Sequence, residues 1–180
     1  MTIRWQRLPF CGQSLAVHVE YRPGSDRISV KGFIPEDPSA QREGEIRICT
    51  GTEDREVIRR ALEQWYRKQA KAYIQNTVDY YAEQMGVSYN RIAIKDTISR
   101  WGSCSSLKNL NFSYRIVMMP PAVAEYVVIH EVTHLKHMDH SGEFWKDVAA
   151  YCPEYKARIR WLKENGLYYM KQLRPDCRQR

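Results

Sequence analysis

Residues 120–140 read PPAVAEYVVIHEVTHLKHMDH, and this stretch carries the strongest structural signal in the chain. Its opening pair, Pro120-Pro121, is typical of a helix start, because proline is tolerated in the first helical turn. The run from Val123 to Ile129 is almost wholly apolar, so the predicted helix is buried rather than exposed on the surface. Glu125 lies near the positive end of the helix dipole, where a carboxylate is favourable. We therefore predict a buried helix that runs from the two prolines into the histidines.

Four of the five histidines lie within the last eleven residues of this stretch. His130 and His134 stand four positions apart, which places both imidazoles on one face of a helix. With Glu131 they form the pattern H-E-x-x-H, in which two nitrogen ligands hold a metal ion and a carboxylate accepts a proton from water. A surface helix with incidental histidines is the alternative, but a buried helix needs partners for such polar groups. The pattern thus favours a zinc-dependent hydrolytic site.

A catalytic zinc commonly takes three protein ligands, so a third ligand is expected. His137 lies on nearly the same helical face, but a straight helix would place it about two turns from the first histidine. His140 would reach the metal if the chain turned through Met138-Asp139 and a new helix, capped by Asp139 or Ser141, followed. We favour His140 and assign His137 a structural or ligand-supporting role. The carboxylates that remain open as alternatives are Asp139, Glu143 and Asp147.

The chain has 180 residues, enough for one domain or for one domain with a small appended part. We place a β-rich N-terminal part at 1–51 and a metallopeptidase-like domain at 52–180, as one compact unit. The stretch Met1–Arg7 lacks the apolar core of a signal peptide, and no run reaches transmembrane length. The five cysteines form no C-x-x-C pair, so neither a disulfide framework nor a cysteine-type zinc site is expected. These features predict a cytoplasmic protein without membrane association.

The formal net charge of +7 suggests nucleic acid as a possible partner. Much of the excess falls in Arg55–Lys71 and Lys156–Arg180, where positive residues are mixed with glutamates and aromatic residues at helical spacing. This mixture is more typical of a solvated helix face than of a nucleic-acid interface. Nucleic acid is therefore possible but not inferred. The alternative function that it defines is a basic nucleic-acid-associated binding module whose zinc is structural or regulatory.

Residues 15–50 alternate in the manner of β-strands. Leu15–Tyr21 and Arg27–Val30 flank a turn at Pro23–Asp26, and Ile46–Cys49 is a further candidate strand. His18 belongs to this small sheet and is interpreted as structural.

A long helical pattern follows these strands. It starts at Thr52 and ends near Met85, with Gly86 as its stop signal. We expect a kink or an interruption near Asn76-Thr77. Beyond the helix, Ile92–Ile94 is typical of a strand.

Thr97–Ser106 and Leu110–Val117 predict a β-hairpin, with its turn at Leu107–Asn109. Zinc peptidases often hold an extended substrate against the sheet edge beside the metal, and this hairpin is well placed for that task. A core hairpin without substrate contact is an equally weighted alternative. Cys104, within the hairpin, has no neighbouring base to activate it as a nucleophile, so we interpret it as a buried structural thiol.

Several motifs in the second half of the chain occur in a characteristic order. They are Arg100-Trp101-Gly102-Ser103-Cys104-Ser105, Asn111-Phe112, Pro120-Pro121, the His130–His134 helix and His140-Ser141 followed by Phe144-Trp145. Together they resemble the YgjP-like metallopeptidase family, relatives of the SprT-like and wider zincin peptidases. The resemblance covers most of the chain and implies an α+β fold, with a zincin-like metallopeptidase domain and a small β-rich N-terminal part. It also implies that His130, His134 and His140 are zinc ligands and that Glu131 is the general base.

These observations predict a zinc-dependent hydrolase with one Zn²⁺ per chain that acts on a peptide or protein substrate. Glu131 would take a proton from the metal-activated water and pass it to the leaving amine. The negative charge that develops on the substrate needs a second donor besides the metal. The nearest suitable side chains are those of Arg100, Tyr114 and Arg115. The sequence does not indicate an oligomeric state.

Overall fold

The computed structural model describes residues 5–34 and 44–174. Cys177 and the last part of the basic stretch that ends at Arg180 lie outside these residues. The elements are β1 (Trp5–Phe10), β2 (Gln13–Tyr21), β3 (Ser29–Phe33), β4 (Glu45–Thr50), α1 (Arg55–Met85), β5 (Arg91–Lys95), β6 (Gly102–Cys104), β7 (Asn109–Ser113), a 3₁₀ helix (Tyr114–Met118), α2 (Pro121–Thr133), α3 (Gly142–Tyr151) and α4 (Tyr155–Met170).

The N-terminal strands form a four-stranded sheet in the order β1-β2-β4-β3. The predicted strands are present, but β2 and β3 do not pair with each other across the turn between them. Instead β4 lies between them, parallel to β2 and antiparallel to β3. Ile46 and Ile48 of β4 are fully buried, and a central position in the sheet gives this strand a neighbour on both sides. His18 points outward from β2 and pairs with Glu45 at 3.7 Å, in agreement with a structural role.

Helix α1 crosses the molecule without a break. It starts later than Thr52, because the Asp54 side chain accepts hydrogen bonds from the backbone N–H groups of Glu56 and Val57. Gly86 ends it in a left-handed conformation, as predicted. The expected interruption near Asn76-Thr77 is absent: the Thr77 hydroxyl donates to the Tyr73 carbonyl and stays within the helical pattern. One face of the helix is buried along its length by Ile58, Leu62, Tyr66, Ala70, Ile74, Val78, Tyr81 and Ala82.

The two halves of the chain share a core. Phe10 of β1 packs against Trp65 and Tyr66 of α1, with ring centroids 5.2 and 6.0 Å away. The Tyr66 hydroxyl also donates to the Pro9 carbonyl at 2.8 Å. These contacts hold the N-terminal sheet against α1, and the boundary placed after residue 51 stays a prediction.

The second sheet has the order β5-β7-β6, with β7 in the centre. β6 and β7 form the predicted antiparallel hairpin, while β5 runs parallel to β7. The second strand ends at Ser113, earlier than predicted, because its hydroxyl accepts a hydrogen bond from the Arg115 backbone and starts the 3₁₀ helix.

Helix α2 lies at the centre of the second half and starts at Pro121, as predicted. Residues from Val123 to Val132 are almost all buried, and α1 packs along it, with the Tyr81 hydroxyl donating to Glu125 at 2.7 Å. The predicted α+β fold with strands at its N-terminal end is therefore confirmed. Among the described residues, no helix combines the length and the apolar character needed to cross a membrane.

The basic stretch on α1 is largely paired. Arg59 and Arg67 both contact Glu63, and Arg59 and Arg60 both contact Glu56. Pairs at these spacings join neighbours on one helix surface, and the interpretation of this stretch as a solvated helix face stays a prediction.

Candidate metal centre

Three histidine side chains meet at the end of α2. The Nε2 atom of His130 lies 3.2 Å from that of His134 and 3.2 Å from that of His140. All three ligand atoms lie within 4.8 Å of one another. His130 lies in α2 and His134 is the residue that caps its C-terminal end, whereas His140 comes from the segment between α2 and α3.

The end of α2 explains how His140 reaches the other two. The helix ends at Thr133, so the straight helix that would carry His137 away does not form. The chain then turns, and the Ser141 hydroxyl accepts a hydrogen bond from the Phe144 backbone and starts α3. The Asp139 carboxylate accepts from the Ser141 backbone at 3.3 Å and supports the turn. The next helix therefore begins directly after His140.

His137 contributes through its backbone rather than its imidazole. Its carbonyl oxygen lies 2.9 Å from Nδ1 of His134. Because a carbonyl only accepts, Nδ1 of His134 carries the proton, which leaves the lone pair on Nε2. The imidazole of His137 instead lies 2.8 Å from the Asp147 carboxylate, which Lys136 also contacts.

His130 is oriented by a second polar contact. Its Nδ1 atom lies 3.4 Å from the Tyr126 hydroxyl, one helical turn earlier.

The Phe144 side chain packs against the histidines and is fully buried. Its ring centroid lies 5.0, 4.5 and 4.8 Å from those of His130, His134 and His140. One apolar ring thus packs against all three imidazoles.

The surroundings favour neutral imidazoles. Burial, and after it the neighbouring His134 and His140, lowers the pKa of His130 to about 3. The pKa of His134 is also lowered, mainly by burial. Neutral imidazole is the form that binds metal ions.

The donor set fits zinc. Three neutral imidazole nitrogens are typical of catalytic zinc sites. With Zn–N bonds of 2.0–2.1 Å and tetrahedral angles, two such nitrogens lie about 3.3 Å apart. The observed separations of 3.2 Å agree with that spacing. Without a shared cation, three lone pairs directed at one point would repel one another.

Glu131, which follows His130 in the sequence, packs against strand β6. Its side chain is 6% exposed, and burial raises its pKa to about 8, while the positive charge of Arg100 opposes the rise. Gly102 of β6 lies directly against it. A Cβ atom at that position would lie 2.5 Å from Cγ and 2.6 Å from Oε1 of Glu131. The glycine therefore permits the close approach of strand and carboxylate.

The three side chains expected to contact substrate lie in different places. Arg100 is exposed, and its charge acts on Glu131. Tyr114 and Arg115 are fully buried. Arg115 donates to the Gln172 carbonyl at 2.8 Å and pairs with Asp96, and its guanidinium lies 4.4 Å from the Tyr114 ring centroid. Their burial and these contacts argue against the predicted substrate role for Tyr114 and Arg115.

The thiol of Cys104, on β6, is partly buried. Burial, followed by the charge of Glu131, raises its pKa to about 11. The thiol is therefore protonated at neutral pH, as a structural cysteine should be.

Sequence reasoning did not identify the roles of Gly102, Tyr126 and Phe144. Tyr126 stands one turn before His130, and this spacing was an available signal for the contact. Gly102 and Phe144 act through tertiary packing, which spacing within one element does not reveal.

The chain is similar to known proteins in sequence and in part of its fold. The model of the YgjP-like family, described as a metallopeptidase domain, matches residues 7–165. A crystal structure of a metallopeptidase zymogen, abylysin from Pyrococcus abyssi, superposes with a TM-score of 0.46 and 19% identity. That match covers 51% of this chain and 93% of abylysin. No curated protein matches the sequence significantly.

Proposed function

This chain belongs to the YgjP-like metallopeptidase family, as its motifs suggested, and on that premise we propose that it is a zinc-dependent peptidase. His130, His134 and His140 hold one zinc ion, and Glu131 is the general base. The observation that carries the proposal is the convergence of three histidine Nε2 atoms, with the buried Glu131 next to His130 in the sequence. When bound, zinc lowers the pKa of water and polarises a substrate carbonyl.

Glu131 moves the proton. One of its carboxylate oxygens takes a proton from the attacking water and delivers it to the amide nitrogen as the C–N bond breaks. A general base works best when its pKa lies near the working pH. Burial raises the pKa of Glu131 to about 8 although the charge of Arg100 opposes the rise, and a cation at the histidines would lower this pKa.

Arg100 contacts the substrate in this proposal. Its exposed guanidinium is close enough for its charge to act on Glu131, whereas Tyr114 and Arg115 are enclosed in the core. A positive group at this place stabilises the negative charge that develops on the substrate carbonyl oxygen.

The substrate lies as an extended strand against β6. This strand is at the edge of its sheet, and Gly102 within it touches Glu131. An extended peptide paired with this edge would bring its backbone alongside the carboxylate. Peptide or protein substrates follow from this arrangement. The alternative of a nucleic-acid-associated binding module stays a prediction, without a structural observation in its favour.

Metal content is the first test. Purified without a metal-binding tag, the wild-type protein should contain one zinc per chain. His140→Ala removes a proposed zinc ligand. It should weaken zinc binding by more than the loss of a residue that only supports a ligand, which typically costs roughly 10- to 100-fold. His137→Ala is the matched control, because it keeps the backbone carbonyl that orients His134. Equal zinc affinity in wild type and His140→Ala would remove His140 from the ligand set.

The second test concerns the base. Glu131→Gln should retain zinc and lose hydrolysis by about 10²- to 10⁴-fold, because an amide cannot accept the proton. Cleavage of a varied peptide mixture, followed by mass spectrometry, is the measurement. Glu125→Gln, on the same helix, is the control and should cleave normally. Normal turnover by Glu131→Gln would contradict the proposed mechanism.

A further inference from the structure

The three histidines differ in how their rings are held. His130 has the Tyr126 hydroxyl at Nδ1, and His134 has the His137 carbonyl. For His140, the only polar contact in the described part of the chain is the one from Nε2 to His130. His140 is also the exposed member of the set and comes from a turn rather than a helix. Among the described residues, its other contacts are with aromatic rings.

One of these contacts belongs to a stack of aromatic rings. The Trp145 ring lies 5.7 Å from the His140 ring, with the two planes 27° apart. Tyr155 is the next ring in this stack. Its centroid lies 5.2 Å from that of Trp145, and the two ring planes are 20° apart. Lys156 lies 5.9 Å from the Tyr155 ring centroid. Stacked aromatic rings attract one another beyond the area that they bury.

We propose that Trp145 is a positioning residue that holds the His140 imidazole in the orientation required for metal binding. This inference rests on the proposed zinc site. It assigns to an indole ring the task that a hydrogen-bonding partner performs for the other two histidines.

The position of Trp145 in the fold supports this role. It lies in the first turn of α3, and its backbone N–H donates to the Ser141 carbonyl at 3.2 Å. The indole is therefore fixed to the same helix start that turns the chain at His140. The contact made by Trp145 differs from that of the adjacent Phe144, which is fully buried and packs against all three imidazoles. Trp145 is partly exposed. Its ring plane is 27° from that of His140 and 60° from that of His130, so it is more nearly parallel to the His140 ring.

The test compares zinc affinity among full-length variants. Trp145→Leu removes the ring, and Trp145→Phe keeps an aromatic face. Trp161→Leu is the matched control, because Trp161 is also partly exposed and packs against another aromatic ring, Tyr169 in α4, with ring centroids 5.4 Å apart. Zinc dissociation constants are measured by competition with a chromogenic chelator, and unfolding of each metal-free protein is followed by circular dichroism. The visible absorption of the Co²⁺-loaded proteins reports the ligand geometry independently of activity.

We expect Trp145→Leu to weaken zinc binding about tenfold or more and to change the Co²⁺ spectrum. Trp145→Phe should recover most of the affinity, and Trp161→Leu should bind zinc like wild type. Unchanged affinity in Trp145→Leu, or an equal loss in Trp161→Leu, would overturn the positioning role and leave the proposed function intact. No zinc binding by wild type would instead overturn the proposed function itself.

Discussion

Gly102 shows how a single missing side chain shapes the site. Its backbone lies against the carboxylate of Glu131, and no Cβ atom fits between them. Gly102→Ala should therefore displace the Glu131 side chain and reduce peptide cleavage by about tenfold or more, since small displacements of a catalytic group are costly. Zinc content should not change, because the three atoms nearest to the added Cβ all belong to Glu131, which is not a proposed zinc ligand. Cleavage rate and zinc content of the same preparation are the measurements.

Gly142→Ala provides the control for this substitution. A Cβ atom at Gly142 meets nothing within 4 Å, although the residue lies at the start of α3 near the histidines. Normal cleavage by Gly142→Ala and slow cleavage by Gly102→Ala would support the steric explanation. Unimpaired cleavage by Gly102→Ala would mean that Glu131 has another productive position.

At this scale, local spacing determined what could be predicted. His130, Glu131 and His134 were identifiable because a helix converts a four-residue interval into a shared face. His140 was the favoured third ligand because a turn through Met138-Asp139 would return it to the metal before a new helix begins. The burial of Arg115 could not be predicted from local spacing. An arginine two residues after a strand is usually exposed, and only the packed structure shows it enclosed against Asp96 and Gln172.

Among the elements, α1 owes its exact start to one carboxylate. The Asp54 side chain accepts from the backbone of Glu56 at 2.8 Å and from that of Val57 at 3.3 Å. Asp54→Ala should lower the free energy of unfolding by about 1 kcal/mol, as is typical for the loss of an N-cap. Urea denaturation is the measurement. Thr52→Ala, at the helix start predicted from the sequence, should lower the free energy of unfolding by less. A larger loss in Thr52→Ala than in Asp54→Ala would place the N-cap at Thr52.

The strands show why elements were easier to predict than their pairing. Alternation identified β2 and β4 and a four-residue region, Arg27–Val30, that includes part of β3, because period-two patterns are local. The insertion of β4 between β2 and β3 depends on contacts between residues far apart in the chain. The hairpin of β6 and β7 was predicted correctly because its turn joins its two strands directly.

For the whole molecule, the pair of Arg115 and Asp96 joins distant parts of the chain. Arg115 follows β7, Asp96 follows β5, and the same guanidinium also holds the Gln172 carbonyl beyond α4. Asp96→Ala would leave this enclosed charge without its counter-ion. We expect it to lower the free energy of unfolding by about 2 kcal/mol, as measured by urea denaturation.

Zinc affinity tests whether this loss of stability leaves the metal site intact. Asp96→Ala should bind zinc like wild type, because the pair does not touch the histidines. Asp26→Ala, at an exposed position, is the control and should leave stability nearly unchanged. A stability equal to wild type in Asp96→Ala would show that Arg115 does not need this partner.

The short length of β6 bears on how such an enzyme could be inhibited. The strand has three residues and, within the described chain, pairs with β7 alone. Alternate residues of a strand direct their backbone groups to opposite sides, so about one or two residues of β6 face outward. If ligands pair with this edge, extending a peptidomimetic beyond about three residues would add no further backbone hydrogen bonds. Potency and selectivity would then have to come from its metal-binding group and from the side chains on either side of it.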